Sequence, residues 1–318
     1  MDDRLWPHDW QQGPRYGGAF SFARVPTTRD LTRADVVIIG VPIDMATMYR
    51  SGARFGPRAI RDASGQLRPH GLTAATLEEP FVSLRVVDYG DLEVYPGYLE
   101  RSLDRVQAEL RQVLQGGVLP IVLGGDHSLT LPVLRAFASE VGMLSLVHFD
   151  AHPDFWPGTE QQPLHHGVVF RKAVEEHLID PTASLQIGIR GSLSAGIVAD
   201  ARAAGFTVIT MDDAASRGIE NVLQSIQQVA WRPIYVSLDI DSVDPAFAPG
   251  TGTPEVAGFS SREIVALVRG LRGLNLVGFD VVEVAPQYDA AEVTALLAAN
   301  LVYEFLMLLA AARKPAAE

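Results

Sequence analysis

Four short stretches of this chain place carboxylates and imidazoles where an apolar run gives way to a loop. Asp150-Ala151-His152-Pro153-Asp154 follows Met143 to Phe149, a largely apolar run that reads as a buried strand. Its three ligand-bearing side chains then emerge at a strand's C-terminal end, the edge of an open α/β sheet where ligands bind. Oxygen and imidazole donors this closely spaced suit a divalent cation, with a polar turn as the alternative. Leu123-Gly124-Gly125-Asp126-His127-Ser128 follows a second run, Val118 to Leu123. Its glycines permit a tight turn, Asp126 or Ser128 could cap the next helix, and His127 would reach the same edge as Asp150.

In Ser237-Leu238-Asp239-Ile240-Asp241-Ser242-Val243-Asp244-Pro245 the apolar residues alternate with Ser237, Asp239 and Asp241. Period two would put the two carboxylates on one face, about 7 Å apart along a strand. Unneutralised they would repel each other in a buried place, and a pair of divalent cations bridged by carboxylate is the usual remedy. Asp244, before Pro245, reads as a turn residue. The fourth stretch, Asp280-Val281-Val282-Glu283-Val284-Ala285-Pro286, ends another apolar run. Glu283 is then free to bind a cationic substrate; the alternative is a cap or a surface ion pair.

Composition narrows the chemistry. The chain has 318 residues with no Cys, so His and carboxylates are the available metal ligands and disulfides are excluded. Lys and Arg number 26 against 38 Asp and Glu, a net charge of −12, which argues against nucleic acid as a partner. No apolar run is expected to reach the roughly 18 residues of a membrane span and the N-terminus lacks a basic-then-apolar signal pattern, so no membrane is expected and the cytoplasm is the default location.

The elements that must position these residues alternate in type. Strands are expected at Asp35 to Val41, Leu84 to Val87, Val118 to Leu123, Leu185 to Ile189, Thr207 to Thr210, Ile234 to Ile240 and Leu276 to Val282, besides the run before Asp150. Helical spacing occupies Leu99 to Val113, Val168 to Leu178, Val198 to Ala204, Ile219 to Val229, Ile264 to Leu271 and Val293 to Ala311. The alternation predicts an α/β fold with a mostly parallel sheet and helices on both faces. Residues 1–34 read as an N-terminal arm and 35–318 as a single catalytic domain. The long loop from Asp44 to Pro57 is a candidate functional loop, and its Met45, Met48 and Tyr49 either pack there or line an entrance.

Taken together, Tyr49-Arg50-Ser51-Gly52-Ala53-Arg54-Phe55-Gly56-Pro57, the four stretches above, His166-Gly167 and Gly250-Thr251-Gly252-Thr253-Pro254 resemble the ureohydrolases, the arginase and agmatinase superfamily, and its agmatinase branch in particular. The resemblance runs from about Val36 to the last helix. It implies a three-layer α/β/α fold, two Mn²⁺ ions per subunit (Ni²⁺ possible) and a homotrimer or homohexamer. It implies that His127, Asp150, Asp154 and Asp239 hold one ion, and that Asp150, His152, Asp239 and Asp241 hold the other. By the same resemblance Glu283 pairs with a guanidinium, Asp154 passes a proton to the leaving nitrogen, and His166 shuttles protons. Gly167 favours His166 over its neighbour His165 for that role. His148 reads either as a residue supporting Asp150 or as a core histidine.

The activity implied is hydrolysis of a guanidino compound to urea and an amine, with agmatine as first guess. Guanidinobutyrate, guanidinopropionate and guanidine or an alkylguanidine are the alternatives. A non-catalytic partner subunit is disfavoured because all six ligand positions are filled. Phe155 and Trp156, where polar residues are commoner, are expected to contact the substrate. Between Asp154 and Gly167 the one formal charge is Glu160, which favours a cationic or neutral tail unless Arg50, Arg54, Arg15 or Arg24 folds over the entrance.

Overall fold

The computed structural model describes residues 16–17, 20–67 and 79–313. Its centre is an eight-stranded sheet made of β1 (Val36–Gly40), β2 (Val86–Asp91), β3 (Leu119–Leu123), β4 (Ser145–Phe149), β5 (Leu185–Ile189), β6 (Thr207–Thr210), β7 (Ile234–Asp239) and β8 (Leu276–Val282). The order across the sheet is β2-β1-β3-β8-β7-β4-β5-β6, and every pairing of neighbours is parallel. The four strands whose ends carry the four stretches, β3, β8, β7 and β4, are therefore contiguous at the middle of the sheet. Sequence order and spatial order part company here, which is where such sheets open a crevice.

Alternation along each strand divides the core between two faces. Val36, Ile38, Val236, Leu238, Phe279 and Val281 pack on one side, and Val37, Ile39, Tyr235 and Val282 on the other. The first face is covered by α1 (Gly56–Ser64), α2 (Pro80–Ser83), α7 (Met211–Arg217), α8 (Ile219–Val229), α9 (Ser261–Arg269) and α10 (Val293–Arg313); the second by α3 (Leu99–Gln115), α4 (Thr130–Val141), α5 (Val169–Glu175) and α6 (Ala195–Ala204). Strands buried on both sides and helices on each face make the three layers. Of the arm, Phe22 and Ala23 are buried in the first core, Phe22 N–H donates to Asp88 at 2.8 Å, and Ala23 N–H to Ser64 Oγ at 2.7 Å.

Three expectations are corrected. The second strand lies at Val86–Asp91 rather than at Leu84 to Val87. It runs on into polar residues because Arg61 receives them: its guanidinium donates to Asp88 at 2.8 and 3.0 Å and to Asp91 at 2.5 Å. The strand expected to reach Ile240 stops at Asp239, whose side chain accepts from Asp241 N–H at 2.8 Å and caps a 3-10 turn, Ile240–Ser242. Asp241 is thus delivered by a turn, not by strand alternation. Finally, α10 is long and apolar enough to cross a membrane by length and composition; 78% of its apolar window is buried inside the fold, which marks a core helix.

Candidate metal centre and active-site pocket

Each motif delivers its side chains from a strand end held by backbone hydrogen bonds. Gly125 makes the closest approach: a Cβ there would fall 1.8 Å from Ile43 O, so only glycine lets the loop after β3 lie against the loop after β1. Asp126 fastens the same junction by accepting from Ala46 N–H at 2.8 Å and Ser128 N–H at 2.9 Å. Two site residues adopt positive φ, Asp154 at 43° and Glu283 at 64°. That region is costly for side chains with a Cβ, so the surrounding hydrogen bonds must hold both in place. Glu283 N–H donates to Gly125 O at 2.8 Å, and Phe170 N–H to Asp154 O at 3.0 Å.

The imidazoles and carboxylates converge. His127 Nδ1 lies 3.0 Å from Asp154 Oδ2, 3.3 Å from Asp150 Oδ2 and 3.5 Å from Asp239 Oδ2. His152 Nδ1 lies 3.0 Å from Asp241 Oδ2 and 3.4 Å from Asp150 Oδ1. The ligand atoms of Asp150, His152 and Asp241 lie within 4.8 Å of one another, as do those of His127, His148 and Asp150. His148 also lies 2.8 Å from Asp150 Oδ2 through its Nε2, so both readings of this residue meet: it is fully buried and it supports Asp150.

Electrostatics describe a group of charges in want of a cation. Burial, then Asp241 and Asp150, push the Asp239 carboxyl well above its usual range; burial and Asp150 raise Asp241. Burial would raise Asp150 too, but His148, His127 and His152 together hold it well below. Burial opposes the charged forms of His127 and His152, yet their carboxylate neighbours lift both well above the ordinary imidazole value. His127 Nδ1 itself is buried with no hydrogen-bond partner while facing three carboxylates. A buried polar atom of this kind calls for a partner, and a divalent cation among N and O donors fits.

Glu283 stands beside the cluster. Its Oε1 accepts from His127 N–H at 2.8 Å and lies 2.8 Å from His166 Nδ1, while its Oε2 is buried without a partner. Met48 N–H donates to His166 Nε2 at 3.2 Å, so in the neutral ring the hydrogen sits on Nδ1, toward Glu283. Burial lowers the His166 imidazole but the Glu283 charge outweighs it, raising it to about 9. His165 is held below its ordinary value by burial and by His166. Its Nδ1 accepts from Gly167 N–H at 3.2 Å.

A cavity of about 270 Å³ opens onto these groups, lined by Met48, His152, Asp154, Trp156, His165, His166, Gly167, Asp239 and Thr253. Of the two aromatics expected at the substrate, only Trp156 lines it. Phe155 is 3% exposed and packs into the second core between Phe206, 5.7 Å away centroid to centroid, and the Arg171 guanidinium. The two neighbours in sequence thus have different surroundings, one in the core and one at the cavity. Two further contacts are not marked in the sequence: the Thr253 hydroxyl, which donates to Asp241 Oδ2 at 3.2 Å, and the Met48 backbone, which donates to His166. Neither carries a residue-type signal that would have marked it.

A family model described as the arginase family matches residues 34–308. The chain belongs to the arginase family. Among its relatives, the guanidinopropionase of Pseudomonas aeruginosa is 45% identical over 97% of this chain and 97% of its own length. The agmatinase of Salmonella dublin is 44% identical over 92% of this chain and 94% of its own. The solved structure of proclavaminate amidino hydrolase from Streptomyces clavuligerus superposes with a TM-score of 0.91 at 42% identity, covering 95% of this chain and all of that one. The eight-stranded parallel sheet is thus the arginase-like α/β fold, which implies a binuclear metal site, and the cluster at its centre offers candidate His and Asp ligand groups.

Proposed function

We propose that this arginase-family chain is a ureohydrolase that cleaves a guanidino compound to urea and an amine, with agmatine the first substrate to test. The observation that carries the reading is a pair of buried, unpartnered atoms in one cluster, His127 Nδ1 among carboxylates and Glu283 Oε2 beside them, packed directly behind Asp154 and His166 of the cavity wall. One wants a metal cation. The other wants a cationic hydrogen-bond donor, and a guanidinium supplies N–H donors in the planar fork that a carboxylate matches.

His127, Asp150, Asp154 and Asp239 would hold one divalent cation and Asp150, His152, Asp239 and Asp241 the second, with Mn²⁺ the ion proposed and Ni²⁺ the alternative. Such a pair, when bound, lowers the pKa of water to give a nucleophile at neutral pH. Glu283 positions the guanidinium carbon, its Oε1 already fixed by His127 N–H and His166 and its Oε2 left for the substrate. Asp154, at the cavity wall, delivers a proton to the departing nitrogen. His166, held between Met48 N–H and Glu283, exchanges protons with the pocket and keeps Glu283 oriented. We take residues 35–318 as one catalytic domain, working in a cytoplasmic homotrimer or homohexamer.

For the tail, the cavity lining among the described residues contains neither Lys nor Arg. Arg54 is committed to Asp44 through its Nε and its terminal nitrogen. Arg50 lies against the rings of Tyr49 and Tyr288, at 5.3 and 5.1 Å. Arg24 belongs to the turn that packs on α1, and Arg15 lies outside the described residues. The His152 and His166 imidazoles of the lining are engaged by Asp150, Asp241 and Glu283, so with no Lys or Arg beside them a cationic or neutral tail is preferred, with Trp156 as its apolar wall. Urea release by Mn²⁺- or Ni²⁺-loaded protein across guanidino compounds tests the reading, and no release from any of them rejects it. The decisive comparison is kcat/KM for agmatine against 4-guanidinobutyrate. One well-placed charge contact is worth about 1.5–3 kcal/mol, or roughly ten- to a hundredfold. A tenfold preference for the acid overturns the tail assignment; turnover of guanidine or an alkylguanidine alone would mean that Trp156 closes the pocket.

A further inference from the structure

We propose that Asp280, acting through Ser237, fixes the tautomer of His127 and so makes that ring a metal ligand; the inference rests on the metal centre described above. Ser237 and Asp280 are register partners on adjacent strands β7 and β8, and His148 on β4 is the register partner of Ser237 on its other side. A polar row therefore crosses three central strands beneath the cluster, every member fully buried. Polar residues are seldom put at the centre of a sheet unless each has a partner.

The hydrogens in this row are determined by what each group can donate. Asp280 Oδ2 receives the Thr130 hydroxyl at 2.9 Å and the Tyr235 hydroxyl at 2.7 Å, and its Oδ1 receives the Ser237 hydroxyl at 2.7 Å. Burial and the Asp280 charge push the Tyr235 phenol well above its usual value, so it stays a donor. Ser237 has a single hydroxyl hydrogen, and it points at Asp280. Its lone pairs are left for His127 Nε2, 2.9 Å away, which must then carry the ring N–H. A ring that ligates a cation must be neutral and so has one N–H; with that hydrogen on Nε2, Nδ1 would offer its lone pair to a cation held among Asp150, Asp154 and Asp239. The other tautomer would aim an N–H into the place a cation must occupy. Groups that hydrogen-bond the far nitrogen of a ligating histidine set its tautomer and basicity in this way. Asp280 touches neither cation nor substrate; it is a positioning residue, and it acts at a distance of two hydrogen bonds.

In Asp280→Asn the side-chain amide can donate to Ser237, whose own hydrogen is then free to turn toward His127 Nε2 and favour the wrong tautomer. Ser237→Ala removes the acceptor altogether. The test is calorimetric titration of Mn²⁺ into the full-length, chelator-stripped protein. Both variants are expected to weaken one of the two ions about 10- to 100-fold and leave the other within twofold of native. Thr130→Val, which removes a donor from the other Asp280 oxygen, should lower Tm while leaving both affinities native. Two native-like affinities in Asp280→Asn and Ser237→Ala overturn the proposal. So does an equal loss at both ions shared by Thr130→Val, which would show a purely structural network. Should Asp280→Asn fail to fold, Ser237→Ala, which deletes one oxygen atom, decides alone. Absence of Mn²⁺ binding by the native chain would sink the metal centre itself, a result distinct from native binding with unchanged variants.

Discussion

Glu283 concentrates the residue-scale argument, because its backbone is strained, its Oε1 is doubly occupied and its Oε2 is buried and unpartnered. If that oxygen serves the substrate and not a cation, Glu283→Gln should cut kcat/KM by a hundredfold or more, the loss expected when a charged hydrogen-bond partner becomes neutral. Metal content should stay at two ions per chain by elemental analysis. Loss of an ion along with the activity would move Glu283 into the metal centre and refute the assignment. The site was largely legible from residue type and position at strand ends: His127, Asp150, His152, Asp154, Asp239 and Asp241 converge as the motifs suggested. Phe155 was misplaced because adjacency in a loop says nothing about facing, and its partners Phe206 and Arg171 are distant in sequence. Asp280 was visible three positions before Glu283, yet its meaning depends on the β7–β8 register, which no local pattern encodes.

Elements were read well where a period held for two turns or more and poorly where side chains overrode it. The 17-residue α3 and the strands β5, β6 and β8 follow their apolar spacing closely, whereas β2 continues into Asp88 and Asp91 because Arg61, on α1, satisfies them. The short α7 (Met211–Arg217) buries only Ala214 and is held by a Thr210/Asp213 capping box, so hydrophobic periodicity could not mark it. A comparable polar fastening joins the two ends of the described catalytic region. Asp35, just before β1, pairs with Arg85 at 2.7 Å and with Arg313, the last residue of α10, at 2.9 Å. Burial would raise the Asp35 carboxyl, but the two arginines outweigh it and lower it to about 2. A depressed carboxylate contributes stability above its unfolded value near 3.8 and loses it as pH falls through about 2. Both arginines are half exposed, so screening leaves about 1 kcal/mol. Asp35→Asn should therefore be about 1 kcal/mol less stable than native to urea at pH 7, with the gap closing on acidification from pH 4 to 2. A gap that stayed constant over that range would show that the pairs contribute nothing through charge.

The whole molecule is organised so that four central strands carry their carboxylates to one buried point, an arrangement that is unfavourable until cations fill it. Asp150, Asp154, Asp239 and Asp241 are all buried, and like charges this close destabilise the fold that assembles them. The net charge of −12 adds to the same repulsion. Cations that bind only the folded chain stabilise it by mass action, about 2.7 kcal/mol per site at a hundredfold excess over Kd, hence roughly 5 kcal/mol for two. Removing them with a chelator should lower Tm by on the order of 10 °C, and added Mn²⁺ should restore it. In the proposed arrangement Asp239 would hold both ions, so Asp239→Ala should abolish or weaken both and uncouple Tm from metal. The variant also loses one of the repelling charges, so its metal-free Tm should match or exceed that of the chelated native protein. Differential scanning calorimetry of both proteins, with and without Mn²⁺, reads all four states. A native Tm indifferent to chelation would mean that the buried carboxylates are neutralised by their own histidines, and the case for a binuclear centre would fall with it.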